Sequence, residues 1–152
     1  MTAASDRVEL LELYKMSVEM ADRLSARRGT ANAFFLTVQS ALAATVTLVG
    51  SAQEGLTSAD AVVLATVGVV LSVAWLLQLR SYRDLNTAKF TVILELEKDL
   101  VAQPFADEWA SLKRDPVRPW RERYAELGFS ERLVPAIFVM LYVAIGWIGA
   151  TR

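Results

Sequence analysis

Three runs of the chain, 29–53, 61–79 and 133–151, contain no Asp, Glu, Lys or Arg and are built largely from aliphatic, small and aromatic residues. A helix rises about 1.5 Å per residue, so roughly 20 residues cross a hydrocarbon layer of about 30 Å. Each run is long enough, and the pattern predicts membrane spans at 33–50, 61–79 and 133–150.

Outside these runs the apolar residues recur at helical steps among charges. Leu10, Leu13, Tyr14, Ser17, Met20, Ala21 and Leu24 fall on one face of a helix predicted over 6–28, with Glu9, Glu12, Lys15, Glu19, Asp22 and Arg23 on the rest. The second span, AVVLATVGVVLSVAWLLQL, passes into SYRDLNTAKFTVILELEK without a helix breaker. Its amphipathic continuation over 80–102 carries Tyr82, Leu85, Lys89, Ile93, Leu96 and Leu100 on one stripe. Pro104 is read as its stop. Short helices are expected over 103–131, one opened by Asp107 and ended at Asp115 and Pro116, the next running from Pro119 to Gly128 as C-cap. Pro135 is placed in the first turn of the third span. The fold class is therefore all-α, an integral membrane protein of three transmembrane helices plus amphipathic cytoplasmic helices in a single domain.

Composition agrees with this reading over a soluble helical bundle. Hydrophobic residues make up 54% of the 152 residues, and 22% are charged, with a mean hydropathy of +0.33. High values of both kinds are compatible when the charges are segregated, as they are here. Of 16 Lys and Arg residues, all but Arg152 lie before the first span or between the second and third. The positive-inside rule then places those segments, and the N-terminus, in the cytoplasm. Of 17 acidic residues all but Glu54 and Asp60 lie there too, so the signs balance and no basic field exists to bind nucleic acid.

Histidine and cysteine are both absent. That excludes Cys nucleophiles, His acid–base catalysis and the usual zinc ligand sets, and no cofactor or metal is expected. A membrane enzyme is the weakest reading, because no convergent titratable pair lies within a span.

The polar residues of the first span, Thr37, Gln39, Ser40, Thr45 and Thr47, are candidates for interhelical hydrogen bonds or for the lining of a pore. Gln39 stands out, since a primary amide in hydrocarbon needs partners. Small residues four apart, Ser40 with Ala44, Ala43 with Thr47, Gly68 with Ser72 and Gly146 with Ala150, permit close helix approach. Arg27 and Arg28, followed by Gly29, Asn32, Phe34 and Phe35, read as an interfacial anchor, with Gly29 a place for the helix to relax or kink. Arg23, Arg27, Arg28, Arg80, Arg83 and Arg132 are placed to meet anionic lipid headgroups, worth about 1 kcal/mol each near the surface. Arg83, Asp84, Asn86 and Lys89 form either an interhelical network or an anion site. Phe105, Trp109, Trp120, Tyr124 and Phe129 form either a small core or an aromatic pocket. So many apolar and small-residue faces exceed what one subunit can bury, which favours a homo-oligomer.

The segments YKMSVEMADRLSARRGTANAFFL, SYRDLNTAKF and PFADEW resemble the RipA family of octameric bacterial inner-membrane proteins, over about Tyr14 to Trp109. The resemblance implies a ring-like octamer in the cytoplasmic membrane without an established catalytic activity. It also implies assembly or lipid-contact roles for the matched Arg27, Arg28, Asn32, Arg83, Asp84, Asn86, Lys89 and Trp109. Two functions remain open at this point: a structural or scaffolding oligomer, and an oligomeric pore or channel-like effector.

Overall fold

The computed structural model describes residues 3–51, 57–113 and 127–151. They form four helices: α1 (Ala3–Gly50), α2 (Ser58–Glu97), α3 (Pro104–Lys113) and α4 (Leu127–Ala150). Three of these are long and apolar enough to cross a membrane, and no strand occurs among the described residues. The all-α, three-span reading therefore holds.

Several boundaries differ from those expected. The segments 6–28 and 33–50 belong to one uninterrupted helix, α1, which continues through Gly29; the good helix formers Ala26, Arg27 and Arg28 before it and Ala31 and Ala33 after it carry the helix through a single glycine. The second helix starts before Ala61 because Thr57 caps it: the Thr57 hydroxyl accepts the Asp60 N–H at 3.1 Å and donates to the Asp60 carboxylate at 2.6 Å, a reciprocal cap. It ends at Glu97, short of Pro104, in a tightened turn in which Leu100 N–H donates to Glu97 C=O at 3.0 Å. Pro104 opens α3 instead of closing α2, as suits a residue without an N–H. Gly128 lies inside α4 and is not a C-cap, and Pro135 lies within that helix, past its first turn. The expected helix from Pro119 and the aromatic residues Trp120 and Tyr124 lie outside the described residues.

The chain divides into two compact units, Met1–Arg27 with Tyr82–Glu126, and Arg28–Ser81 with Leu127–Arg152. In the second unit Asn32 meets Trp75 and Gln39 meets Ser72, so α1 and α2 run antiparallel. Ala61 faces Gly149, Ala65 faces Gly146 and Gly68 faces Tyr142, so α2 and α4 are also antiparallel. The first and third spans thus run in the same direction. Small residues set the spacing of α2 and α4. A Cβ on Gly149 would stand 2.7 Å from that of Ala61, and one on Gly146 3.1 Å from that of Ala65. Gly149 takes the place expected of Ala150, which is exposed. Phe35, Trp75 and Leu79 form the apolar core, with Phe138 packed against them, and the Phe35 and Trp75 rings stack at 5.7 Å.

In the first unit the inward faces are narrower than the stripes read from the sequence. Leu10, Tyr14, Ser17, Ala21 and Leu24 turn inward, whereas Leu13 and Met20 are exposed. On α2, Tyr82, Lys89, Leu96 and Leu100 are half-buried and Ile93 is fully buried, but Leu85 is exposed. Phe90 and Phe105 pack edge to face at 5.6 Å.

Candidate functional site

Among the largest fully buried side chains are three polar ones, Gln39, Ser72 and Glu97. Burying a polar group is costly unless its hydrogen bonds are met, so each marks a place where the fold has been built around it. One such node lies in each unit.

The node of the second unit is centred on Gln39. Its Nε2 donates to Ser72 Oγ at 2.6 Å and to Gly68 C=O at 3.3 Å. Ser72 Oγ donates in turn to Gly68 C=O at 2.8 Å. From α4, the fully buried Tyr142 hydroxyl donates to Gln39 C=O at 3.1 Å. Gln39 Oε1 is buried without a hydrogen-bond partner in the protein. All three spans therefore meet at Gln39, α2 through its side-chain amide and α4 through its backbone carbonyl. Gly68 is what lets Tyr142 reach it, because a Cβ at that position would overlap the Tyr142 ring.

Toward its other end the same face of α1 carries Phe35, Asn32 and Arg28 at steps of four, three and four from Gln39. Trp75 Nε1 donates to Asn32 Oδ1 at 2.9 Å, and Arg28 pairs with Glu131 of α4 at 3.3 Å, both side chains largely shielded from solvent. Arg28 and Asn32, expected as assembly or lipid contacts, thus serve contacts within the protomer. Arg27, Arg83, Asp84 and Trp109 lie at the surface, and Asn86 and Lys89 are half-buried. Asn86 Oδ1 is buried without a protein partner. The hydroxyls of Thr37, Thr45 and Thr47 each donate to the carbonyl four residues back on α1, at 2.8, 2.9 and 2.9 Å. Ser40 is exposed, on a different face from Gln39. Gln39 is thus the one member of that polar set drawn into the interhelical node.

The node of the first unit is centred on Glu97, which the sequence reading passed over. Its carboxyl group accepts the Tyr14 hydroxyl at 2.8 Å and the N–H groups of Phe105 and Ala106 at 3.1 Å each. Those two amides belong to the first turn of α3, whose N–H groups have no partner within the helix and favour a negative group. A signal existed in the spacing: Asn86, Ile93 and Glu97 share one face of α2, so Glu97 falls on the inward stripe. Burial, the Glu97 hydrogen bond and the Glu97 charge together push the Tyr14 phenol up to about 12. A raised phenol pKa adds stability that is fully present below the unfolded value of about 10 and is lost as pH rises through the folded one. Spectrophotometric titration of the intact protein against Tyr14→Phe is expected to show one phenol ionising near pH 12; a Tyr14 that ionises near pH 10 would contradict the node.

Each node is built from hydrogen bonds between helices. Among the described residues no group of three or more His, Cys, Asp or Glu is gathered to hold a metal. Both nodes instead join helices to one another. No curated protein and no solved structure matches the chain. A comparison with protein families matches residues 11–150 to the octameric membrane protein family (8xMP). That range takes in all three spans and both polar nodes, and the chain belongs to this family of membrane proteins.

Proposed function

We propose that the chain is a homo-oligomeric scaffold of the bacterial cytoplasmic membrane, with its N-terminus in the cytoplasm and no catalytic chemistry of its own. The observation that carries this reading is that Gln39 and the threonines of the first span donate their hydrogen bonds inside one protomer. Gln39 is fully buried against Ser72 and Gly68, and Thr37, Thr45 and Thr47 donate to their own helix. A water-filled path needs polar groups turned to an axis, and Gln39, the most polar of the set, is turned away from any surface. The exposed Arg27 and Arg83 supply cations for anionic lipid headgroups beside the spans.

The rival is a pore, for which the threonines and Ser40 of α1 supply a polar surface. Ion flux through purified oligomer in liposomes distinguishes the two. No flux is expected from the wild-type protein, and Gln39→Leu is expected to behave the same, with a stability change of about 0.6 kcal/mol, the usual worth of a hydrogen bond between membrane helices. Flux through the wild type, whether or not Gln39→Leu changes it, would overturn the scaffold reading.

A further inference from the structure

Two exposed apolar stripes lie in the first unit, outside the uncharged runs. On α1, Leu13, Met16 and Met20 follow at steps of three and four and are 45%, 54% and 48% exposed. On α2, Leu85, Ala88 and Val92 repeat the same spacing; Leu85 and Val92 are 51% and 53% exposed, and Ala88 is exposed as well. Charged side chains flank both stripes, with Glu12 paired to Lys15 and Glu19 to Arg23 beside the first. The balanced signs of these charges favour a protein partner over the lipid interface, where the polar face is usually rich in Lys and Arg, and leaving a row of methionine and leucine in water is unfavourable.

The stripes share one side of the unit. Its part of α1 ends, and its part of α2 begins, at the unit boundary, and Tyr14 meets Glu97 a similar distance along each. The two segments are therefore antiparallel. At about 100° per residue each stripe is rotated roughly 100° in the same sense from the inward face of its helix, and in an antiparallel pair that turns both to the same side. The Phe90 and Glu97 contacts hold α3 to the opposite side. One continuous apolar face results.

We infer that this face is covered by a second copy of the chain. The inference rests on the oligomeric reading above. The family matched is one of octamers, and the match, over 11–150, includes both stripes. Self-association requires a surface, and among the described residues outside the spans this face offers a continuous one spread over two helices.

The test is the native mass of the purified protein in mild detergent, together with cysteine labelling that the cysteine-free chain makes clean. Met16→Asp combined with Val92→Asp is expected to lose the assembled species, while Val8→Asp, on the charged side of α1, keeps it. Met16→Cys, which leaves folding intact, is expected to react with a water-soluble maleimide on the order of tenfold more slowly in the assembled protein than after dissociation. An assembly that survives the double substitution, or protection of Met16→Cys that follows the presence of lipid instead of assembly, would overturn the inference. A wild-type protein that is monomeric would overturn the oligomeric reading itself.

Discussion

Gly68→Ala is expected to destabilise the second unit by about 3 kcal/mol, the upper end of the cost of overpacking. The added Cβ would overlap three carbons of the Tyr142 ring. That ring has little freedom to move aside: it is fully buried, lies against Phe138 at 6.3 Å, and is tethered through its hydroxyl to Gln39 C=O. Relief requires α4 to move away from α2, which would also disturb the close approaches at Gly146 and Gly149. Gly29→Ala provides the comparison. A Cβ there meets nothing within 4 Å, so the helix gains the preference of alanine over glycine, about 0.8 kcal/mol. Unfolding by graded SDS in mild detergent measures both, and equal midpoints for the two variants would contradict the packing described at Gly68.

Glu97→Gln is expected to cost about 2 kcal/mol and to release the start of α3. An amide keeps one acceptor oxygen but turns an NH2 group toward donors, so at least one buried donor among Tyr14, Phe105 and Ala106 loses its partner, and each such loss costs about 1–3 kcal/mol. Glu97→Ala removes both acceptor oxygens and all three hydrogen bonds, but its cost is limited to the free energy of docking α3, since the helix can leave and hydrate. Hydrogen exchange at the Phe105 and Ala106 amides is expected to quicken in both variants. The Tyr14 phenol is expected to fall from about 12 toward its ordinary value near 10. Unchanged exchange with an unchanged Tyr14 titration would show that Glu97 does not hold α3.

The parts of this architecture that were legible in the sequence are those with a local cause. The uncharged runs fix the spans because a single charge in hydrocarbon is so costly. Gln39 could be singled out because an amide in a membrane helix needs partners, in a neighbouring helix or along a pore, and the Gly68–Ser72 pair because small residues permit close helix approach. Thr57 and Asp60 carried a capping signal, three residues apart, that was there to be read. The rest depends on partners distant in the chain. Nothing near Arg28 points to Glu131, and nothing near Glu97 says that the amides of α3 will come to it. The stripe over 6–28 gives the direction of the apolar face but not its division: its neighbours within the protomer cover Tyr14 and Ala21 and leave Leu13 and Met20 outward. A helical period records every apolar contact a helix makes, inside its own chain and beyond it, without separating them. Arg28 and Asn32, expected as assembly or lipid contacts, show the same limit: each has a partner within the protomer, and a matched motif shows that residues matter and not which surfaces they face.

The two polar nodes therefore describe how one protomer holds together, and the exposed apolar face describes what it still has to bury. Self-assembly within the membrane is the claim on which this account depends. Native mass spectrometry of the wild-type protein released from lipid nanodiscs tests it most directly. The expected result is a single species of eight copies of the 16.8 kDa chain; a particle containing one chain, under conditions where the helices stay folded, would contradict it.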